Sequence, residues 1–443
     1  MITLKEAIAL PKEEMAEFRK DLEKRAKESN LNAYVGFEES GDGIPILIKD
    51  NIQVKNWNVT SGSGILQKYV APYDATVITK LRENGLSPFG RANMDEFAMG
   101  SSTESSFYGK TLNPHDFERI PGGSSGGSAS AVGGKIAIAS LGSDTGGSVR
   151  QPASFSGVVG FKPTYGQISR YGLASYGSSL DQIGTVTQNV EDSAILYDII
   201  SGHDPKDSTS ASKEKLQIAK NLNSGRKLRI AVLPKYLEKT SSEIRDAYKN
   251  VEKLLGNLGH TIIEKDFGNL DHSISAYYIT AMAEASSNLS RYDGIRYGTR
   301  VEGNNLQETF INSRSQGFGD EVKRRILIGN FVLSSGYYDA YYVKAQKVRN
   351  LVKKQFDEIF HDADLILSPV SPTLPWKFGE KSDPLQAYLS DIFTVPVNLA
   401  GLPAISLPVE WSGKLPIGLQ LIGKAFDEQT LLDGAFSLEN GLK

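Results

Sequence analysis

Between Pro121 and Gly157 the chain reads PGGSSGGSASAVGGKIAIASLGSDTGGSVRQPASFSG, a tract so rich in glycine and serine that few structures can hold it. A phosphate-cradling loop would need a second glycine five residues before Gly134-Lys135 and a hydroxyl after it. Ala129 and Ile136 stand there instead. The dinucleotide fingerprint G-x-G-x-x-G is absent too. A flexible linker is contradicted by the apolar stretch KIAIASL in its middle. What is left is a tightly packed backbone site, in which glycines let the chain approach a reacting group. The pattern predicts a short helix over Ser128–Gly134, a strand over Lys135–Leu141, a turn over Gly142–Gly147 and a second helix near Ser148.

Composition narrows the chemistry. There is no cysteine, hence no disulfide, no thiolate metal site and no cysteine nucleophile. The five histidines (His115, His203, His260, His272 and His361) show no zinc-motif spacing, so no metal is expected. With 49 Lys and Arg against 52 Asp and Glu, the chain lacks the basic excess of a nucleic-acid binder. Met1–Leu10 lacks signal-peptide character, and the best apolar stretch, Val395–Val409, is broken by Pro396, Pro403 and Pro408. The expectation is a soluble, cytoplasmic protein with no membrane contact.

The run GIPILIKDN, Gly43–Asn51, suits a buried strand ending at a sheet edge or cleft. Leu228–Pro234 and His260–Asp266 read as strands around a helix whose apolar stripe is Ile244, Ala247, Tyr248, Val251, Leu254, Leu255 and Leu258, stopping at Gly259. That βαβ pattern makes the class α/β with a mostly parallel or mixed sheet. A helical N-terminal segment, about residues 1–35, and a polar surface connection, about residues 204–227, complete the outline.

Ser148 is the best nucleophile candidate: it follows Gly146-Gly147 and precedes a helix start, where backbone N–H groups converge and could hold an oxyanion. The competing role is that of a helix N-cap. Lys49, at the end of an apolar strand, would be desolvated and so available as a neutral base; a snorkelling or salt-bridged lysine is the alternative. His115-Asp116, in a loop after Asn113-Pro114, is a weaker catalytic pair.

The whole constellation says more. GGSSGGS at Gly122–Ser128, GSDTGGSVRQPASFSGVVGFKPT at Gly142–Thr164 and the upstream strand-end lysine resemble the amidase signature family. The resemblance implies a single domain over residues 1–443 with a large mixed central sheet flanked by helices on both faces. It further implies a Ser–Ser–Lys triad in which Lys49 is the base, Ser124 the bridging serine after a cis peptide bond and Ser148 the acyl nucleophile. The N–H groups of Thr145, Gly146 and Gly147 would form the oxyanion hole. An Asp144–Arg150 ion pair is expected to brace the loop.

Further segments, among them MDEFAMGSSTE (Met94–Glu104), EASSNLSRYDGIRYG (Glu284–Gly298) and SSGYYDAYYVKAQKVR (Ser334–Arg349), resemble the glutaminase subunits of tRNA-dependent amidotransferases. Gly133-Gly134 and Tyr176-Gly177 depart slightly from that pattern. This resemblance implies a glutaminase that supplies ammonia to a larger tRNA-binding kinase partner, with a small third protein completing a heterotrimer. ATP and magnesium would be used by the partner, and this chain would carry no cofactor. Glu-tRNA(Gln), Asp-tRNA(Asn) or both would be amidated there, with tRNA held mainly by the partner. Glutamine needs a cation for its α-carboxylate and an anion for its α-ammonium; the matching residues are Arg325 and Asp391, with Tyr277 and Ser101 as further pocket candidates. In EVKRRILIGNFVL, Arg325 shares a face with Val322, Ile326, Gly329 and Leu333 while Arg324 points away, and a structural ion pair is the competing role for Arg325. A free-standing amidase acting on small or lipophilic amides is the rival reading; it would keep the triad and lack the Arg325/Asp391 pair.

Overall fold

Alternation along single strands explains how the molecule is layered. Ile230 and Val232 pack into one apolar cluster and Ala231 and Leu233 into another; Leu365 and Leu367 part from Ile366 in the same way. Successive side chains of a strand point to opposite faces, so the sheet has a core on each side. On one side lie helices Thr76–Glu83, Val190–Ile200, Ser242–Asn257 and Glu428–Gly441, and on the other Leu270–Asn288, Asp320–Leu333 and Lys344–Asp362. The computed structural model describes residues 1–268, 270–381 and 383–443.

The strands are β1 (Tyr34–Glu39), β2 (Ile44–Lys49), β3 (Leu86–Ala92), β4 (Ala139–Asp144), β5 (Val159–Lys162), β6 (Gln182–Thr187), β7 (Arg229–Val232), β8 (Thr261–Glu264), β9 (Leu365–Pro369), β10 (Ala404–Ser412) and β11 (Leu415–Gly423). They form one 11-stranded sheet in the order β1-β3-β2-β4-β6-β5-β10-β11-β9-β7-β8. β2 runs parallel to both β3 and β4, β7 runs parallel to β8 and β9, and the middle of the sheet is antiparallel. The class is α/β with a mixed sheet. The βαβ unit has its helix at Ser242–Asn257, and Gly259 with φ +86° turns the chain back after it.

Two boundaries differ from expectation. The helix of the glycine–serine tract is Gly126–Gly133, and the strand after it begins at Ala139 rather than Lys135. The reason is capping: the amides of Lys135, Ile136 and Ala137 bond back to Val132 and Ala131 carbonyls, so they cannot join a ladder. The N-terminal segment folds as helices Leu4–Ile8 and Lys12–Glu28, with Pro11 as N-cap of the second. Within residues 204–227, Asp204 and Asp207 are buried, and the short helix Ile218–Asn221 buries Ile218.

Candidate active site

Lys49 is the last residue of β2, between two parallel neighbours, and every residue of that strand is buried. Its Nζ lies 2.7 Å from Ser124 Oγ, 2.8 Å from Ser125 Oγ, 3.0 Å from Ser143 Oγ and 3.3 Å from the Ser143 carbonyl. Burial pulls the amine down to about 7 against the opposing pull of Asp95, Asp144 and Asp181. The Ser125 hydroxyl donates to the Ser143 carbonyl at 3.2 Å, so its oxygen faces Lys49 as an acceptor. Asn51 Nδ2 donates to Ser143 Oγ at 2.9 Å and holds that side chain in place. A neutral amine has two hydrogens and one lone pair. Ser125 and Ser143 accept the hydrogens, and the lone pair is left facing Ser124.

The Gly123–Ser124 peptide bond is cis, as the resemblance implies. Ser148 keeps 9% exposure while Lys49 and Ser124 keep none, so Ser148 is the member of the set that a substrate could touch. It is not an N-cap: the following helix is Arg150–Ser156, with Val149 at the cap position. The Ser148 carbonyl accepts from Ser125 N at 3.1 Å, which ties the two serine segments together.

The turn before Ser148 leaves no room for side chains. A Cβ on Gly146 would sit 2.6 Å from the Tyr277 ring, and one on Gly147, at φ +136°, 2.3 Å from Thr394 Oγ1. Asp144 organises this turn: its carboxylate accepts from Gly147 N at 2.8 Å, Val149 N at 3.2 Å and both Nε and Nη2 of Arg150 at 3.1 Å. Arg150 also donates to Gln420 Oε1, the Thr394 carbonyl and Asn398 Oδ1. Burial pushes the Asp144 carboxyl up, but Arg150, Lys162 and Asn398 together outweigh it and hold the group at about 2, below its ordinary 3.8. Its pairing therefore stabilises the fold fully above the ordinary carboxyl range and is lost as pH falls through about 2. Replacing Asp144 by alanine strands a buried guanidinium, and we expect a loss of about 3–5 kcal/mol, read by urea denaturation at neutral pH.

Of the three amides expected to hold an oxyanion, that of Gly147 donates to Asp144 at 2.8 Å. Thr145 is itself steadied by Oγ1 donating to Asp181 at 2.7 Å.

Arg325 is buried on helix Asp320–Leu333, while Arg324 is exposed and pairs with Glu321. The helix presses so close to Leu270–Asn288 that a Cβ on Gly329 would lie 2.0 Å from the Met282 carbonyl. Arg325 Nε donates to Glu321 at 2.7 Å and Nη1 to the Tyr176 hydroxyl at 2.7 Å, so the structural ion pair is present as well. The guanidinium also stands over the rings of Tyr176, Tyr278 and Tyr388, 5.3–5.6 Å from their centroids. Asp391 is buried too; its Oδ2 accepts from Ser101 Oγ at 2.7 Å and from the Tyr278 hydroxyl at 3.4 Å. Burial raises its carboxyl to about 6, with Ser101 and Arg325 pulling the other way. Asp391 precedes a short helix, Val395–Leu399, which has Pro396 in its first turn.

Tyr277 and Tyr278 are neighbours on one helix, the first packed on Gly146 and the second on Asp391 and Arg325. Ser125, Ser143, Tyr278 and Gln151 were missed by sequence reasoning. Adjacency to Ser124 and Tyr277 was the signal available for Ser125 and Tyr278. Gln151 had none: its Oε1 accepts from Gly123 N at 2.9 Å while Nε2 donates to the Ser101 carbonyl at 2.9 Å. His115 belongs elsewhere, with its ring nitrogen 2.9 Å from the Ser156 carbonyl.

Among the described residues no group of three or more His, Cys, Asp or Glu could hold a metal ion, and no helix is long and apolar enough to cross a membrane. The mixed sheet between two helical layers is the frame on which the buried Lys49 amine meets the serine hydroxyls. The model of the Amidase family matches residues 12–432, and the chain belongs to that family. Over 441 residues it is 65% identical to the A-type subunit of glutamyl-tRNA(Gln) amidotransferase from Sulfurimonas denitrificans, covering 99% of this chain and 98% of that protein. It is 63% identical over 444 residues to the protein of the same name from a Nitratiruptor species, with full coverage of both. The crystal structure of the corresponding glutamyl-tRNA(Gln) amidotransferase protein from Thermotoga maritima superposes with a TM-score of 0.86 at 42% identity, covering 99% of this chain and 94% of that one.

Proposed function

We propose that this enzyme is the glutaminase component of a tRNA-dependent amidotransferase, working in the cytoplasm with a tRNA-binding kinase partner and a small third protein. The observation that carries the chemistry is the Lys49 amine, fully buried and 2.7 Å from Ser124 Oγ. Neutral Lys49 takes the Ser124 proton as Ser124 takes that of Ser148, whose oxygen attacks the side-chain amide carbon of glutamine. The amides of Thr145 and Gly146 face the developing oxyanion. The proton returns by the same path to the leaving nitrogen, and ammonia departs. Water then enters, gives its proton to the same relay and releases glutamate from the Ser148 ester. In the partner, ATP and magnesium would activate Glu-tRNA(Gln) or Asp-tRNA(Asn) for attack by the ammonia; tRNA would bind mainly there.

Arg325 and Asp391 point to glutamine over other amides. The Nη2 edge of Arg325 takes the α-carboxylate, Asp391 and the Ser101 hydroxyl take the α-ammonium, and Tyr277 walls the reacting end. Ammonia release measured against glutamine concentration tests this. Arg325→Lys is expected to raise KM about 10–100-fold, the worth of about 1.5–3 kcal/mol for hydrogen bonds to a charged group. KM is also expected to rise as pH falls through about 6, because protonated Asp391 no longer pairs the ammonium; Asp391→Asn removes that dependence. An unchanged KM in the Arg325→Lys protein would rule out the carboxylate role.

A further inference from the structure

The segment Asp95–Thr103 touches the Gly123–Ser124 backbone, Asp391 and the start of the helix that carries Arg325. Its first residue, Asp95, donates its N–H to the Ser124 carbonyl at 3.3 Å. A Cβ on Gly123 would meet Asp95 Oδ2 at 2.1 Å and Ser102 N at 2.6 Å, so the segment is laid directly on the Gly123–Ser124 backbone. Further along, Ser101 holds Asp391 through its hydroxyl and Gln151 through its carbonyl.

Glu96 reaches in the remaining direction. It is 4% exposed, and its carboxylate accepts the N–H of Gly319, the N-cap of the helix carrying Arg325, at 2.9 and 3.2 Å from its two oxygens. Ser63 Oγ donates to the same group. Phe97 adds a second contact to that helix start, its ring 5.7 Å from Phe318. The backbone is bent to make this possible: Phe97, Ala98 and Thr103 have φ of 49°, 61° and 57°, in the left-handed region. Nothing in the relay of Lys49, Ser124 and Ser148 uses Glu96. The buried carboxyl group instead accepts the N–H of Gly319 at the start of one helix, from a loop whose other end carries the Asp391 partner.

We propose that Asp95–Thr103 sets the spacing between the carboxylate and ammonium ends of the glutamine pocket, with Glu96 as the positioning residue that anchors it to the Arg325 helix. The inference rests on the glutaminase reading and adds a residue that glutamine itself does not touch. Loosening Glu96 lets the Arg325 helix drift relative to Ser101 and Asp391, so binding of the zwitterion suffers while the triad keeps its geometry.

The test uses the complex co-expressed with its partner proteins. Glu96→Ala is expected to raise KM for glutamine about tenfold or more while kcat falls less than about threefold. Glu96→Gln keeps an acceptor for Gly319 and is expected to restore KM to within about threefold of the parent. Glutamine Kd, measured calorimetrically in a Ser148→Ala background, should follow KM. Leu81→Ala, a core truncation in helix Thr76–Glu83, controls for general destabilisation: it should lower the melting temperature and leave KM alone. If Glu96→Ala does not accumulate as folded protein, Ser63→Ala gives the same reading with a smaller rise. An unchanged KM in whichever of these is folded, or a kcat that falls as far as KM rises, overturns the inference. If the unmutated complex releases no ammonia from glutamine, the glutaminase reading fails first and this inference with it.

Discussion

Replacing Ser148 by alanine is expected to reduce ammonia release from glutamine about 10⁴–10⁶-fold, because the covalent route disappears and only binding and oxyanion stabilisation are left. The fold should survive the change. Ser148 is the least buried member of the set, and the braces of its turn run through Asp144, Arg150 and Thr394 instead. Melting temperature and glutamine binding therefore serve as controls that stay near the parent values. A chemical readout sharpens the result: with hydroxylamine added, the parent enzyme should form the γ-hydroxamate of glutamate by aminolysis of its ester, and Ser148→Ala none. Hydroxamate formation by Ser148→Ala would move the nucleophile to another residue.

The second large effect belongs to the base. Lys49→Met fills nearly the same buried volume without an amine, and a loss of about 10²–10⁴-fold in kcat is expected, the usual worth of a positioned proton acceptor. The pH profile adds a sign. Burial holds the amine at about 7, so below that value Lys49 carries the proton it must otherwise accept. The rate kcat/KM should accordingly rise with pH through about 7 and fall about tenfold per unit on the acid side. Lys49→Arg, charged at every accessible pH, should be inactive throughout. A profile for the parent enzyme that is flat between pH 6 and about 8.5 would exclude a titrating lysine as the base.

Much of this site could be read before any coordinates. The apolar run Ile44–Ile48 ending in lysine, and two glycine–serine turns at fixed separation, each reflect a local demand: a strand buried on both faces, and backbone that no side chain can crowd. The Ser242–Asn257 helix was legible for the same reason, its stripe being a matter of period alone. Distant partners were harder. That β2 lies between β3 and β4, or that β5 pairs with β10, depends on contacts between segments far apart in the chain. Gln151 and Glu96 escaped because a buried amide and a buried carboxylate look in sequence like the solvated residues they resemble. The bond from the Gly147 amide to Asp144 is a further contact that its place in the turn did not reveal.

The Arg150 guanidinium is knotted to Thr394, Asn398 and Gln420, all near the far end of the chain. Lys49, Ser124 and Ser148 all lie far earlier in the sequence. The turn that presents the nucleophile, held locally by Asp144, therefore gains its outer braces only once segments remote in the chain have folded back onto it.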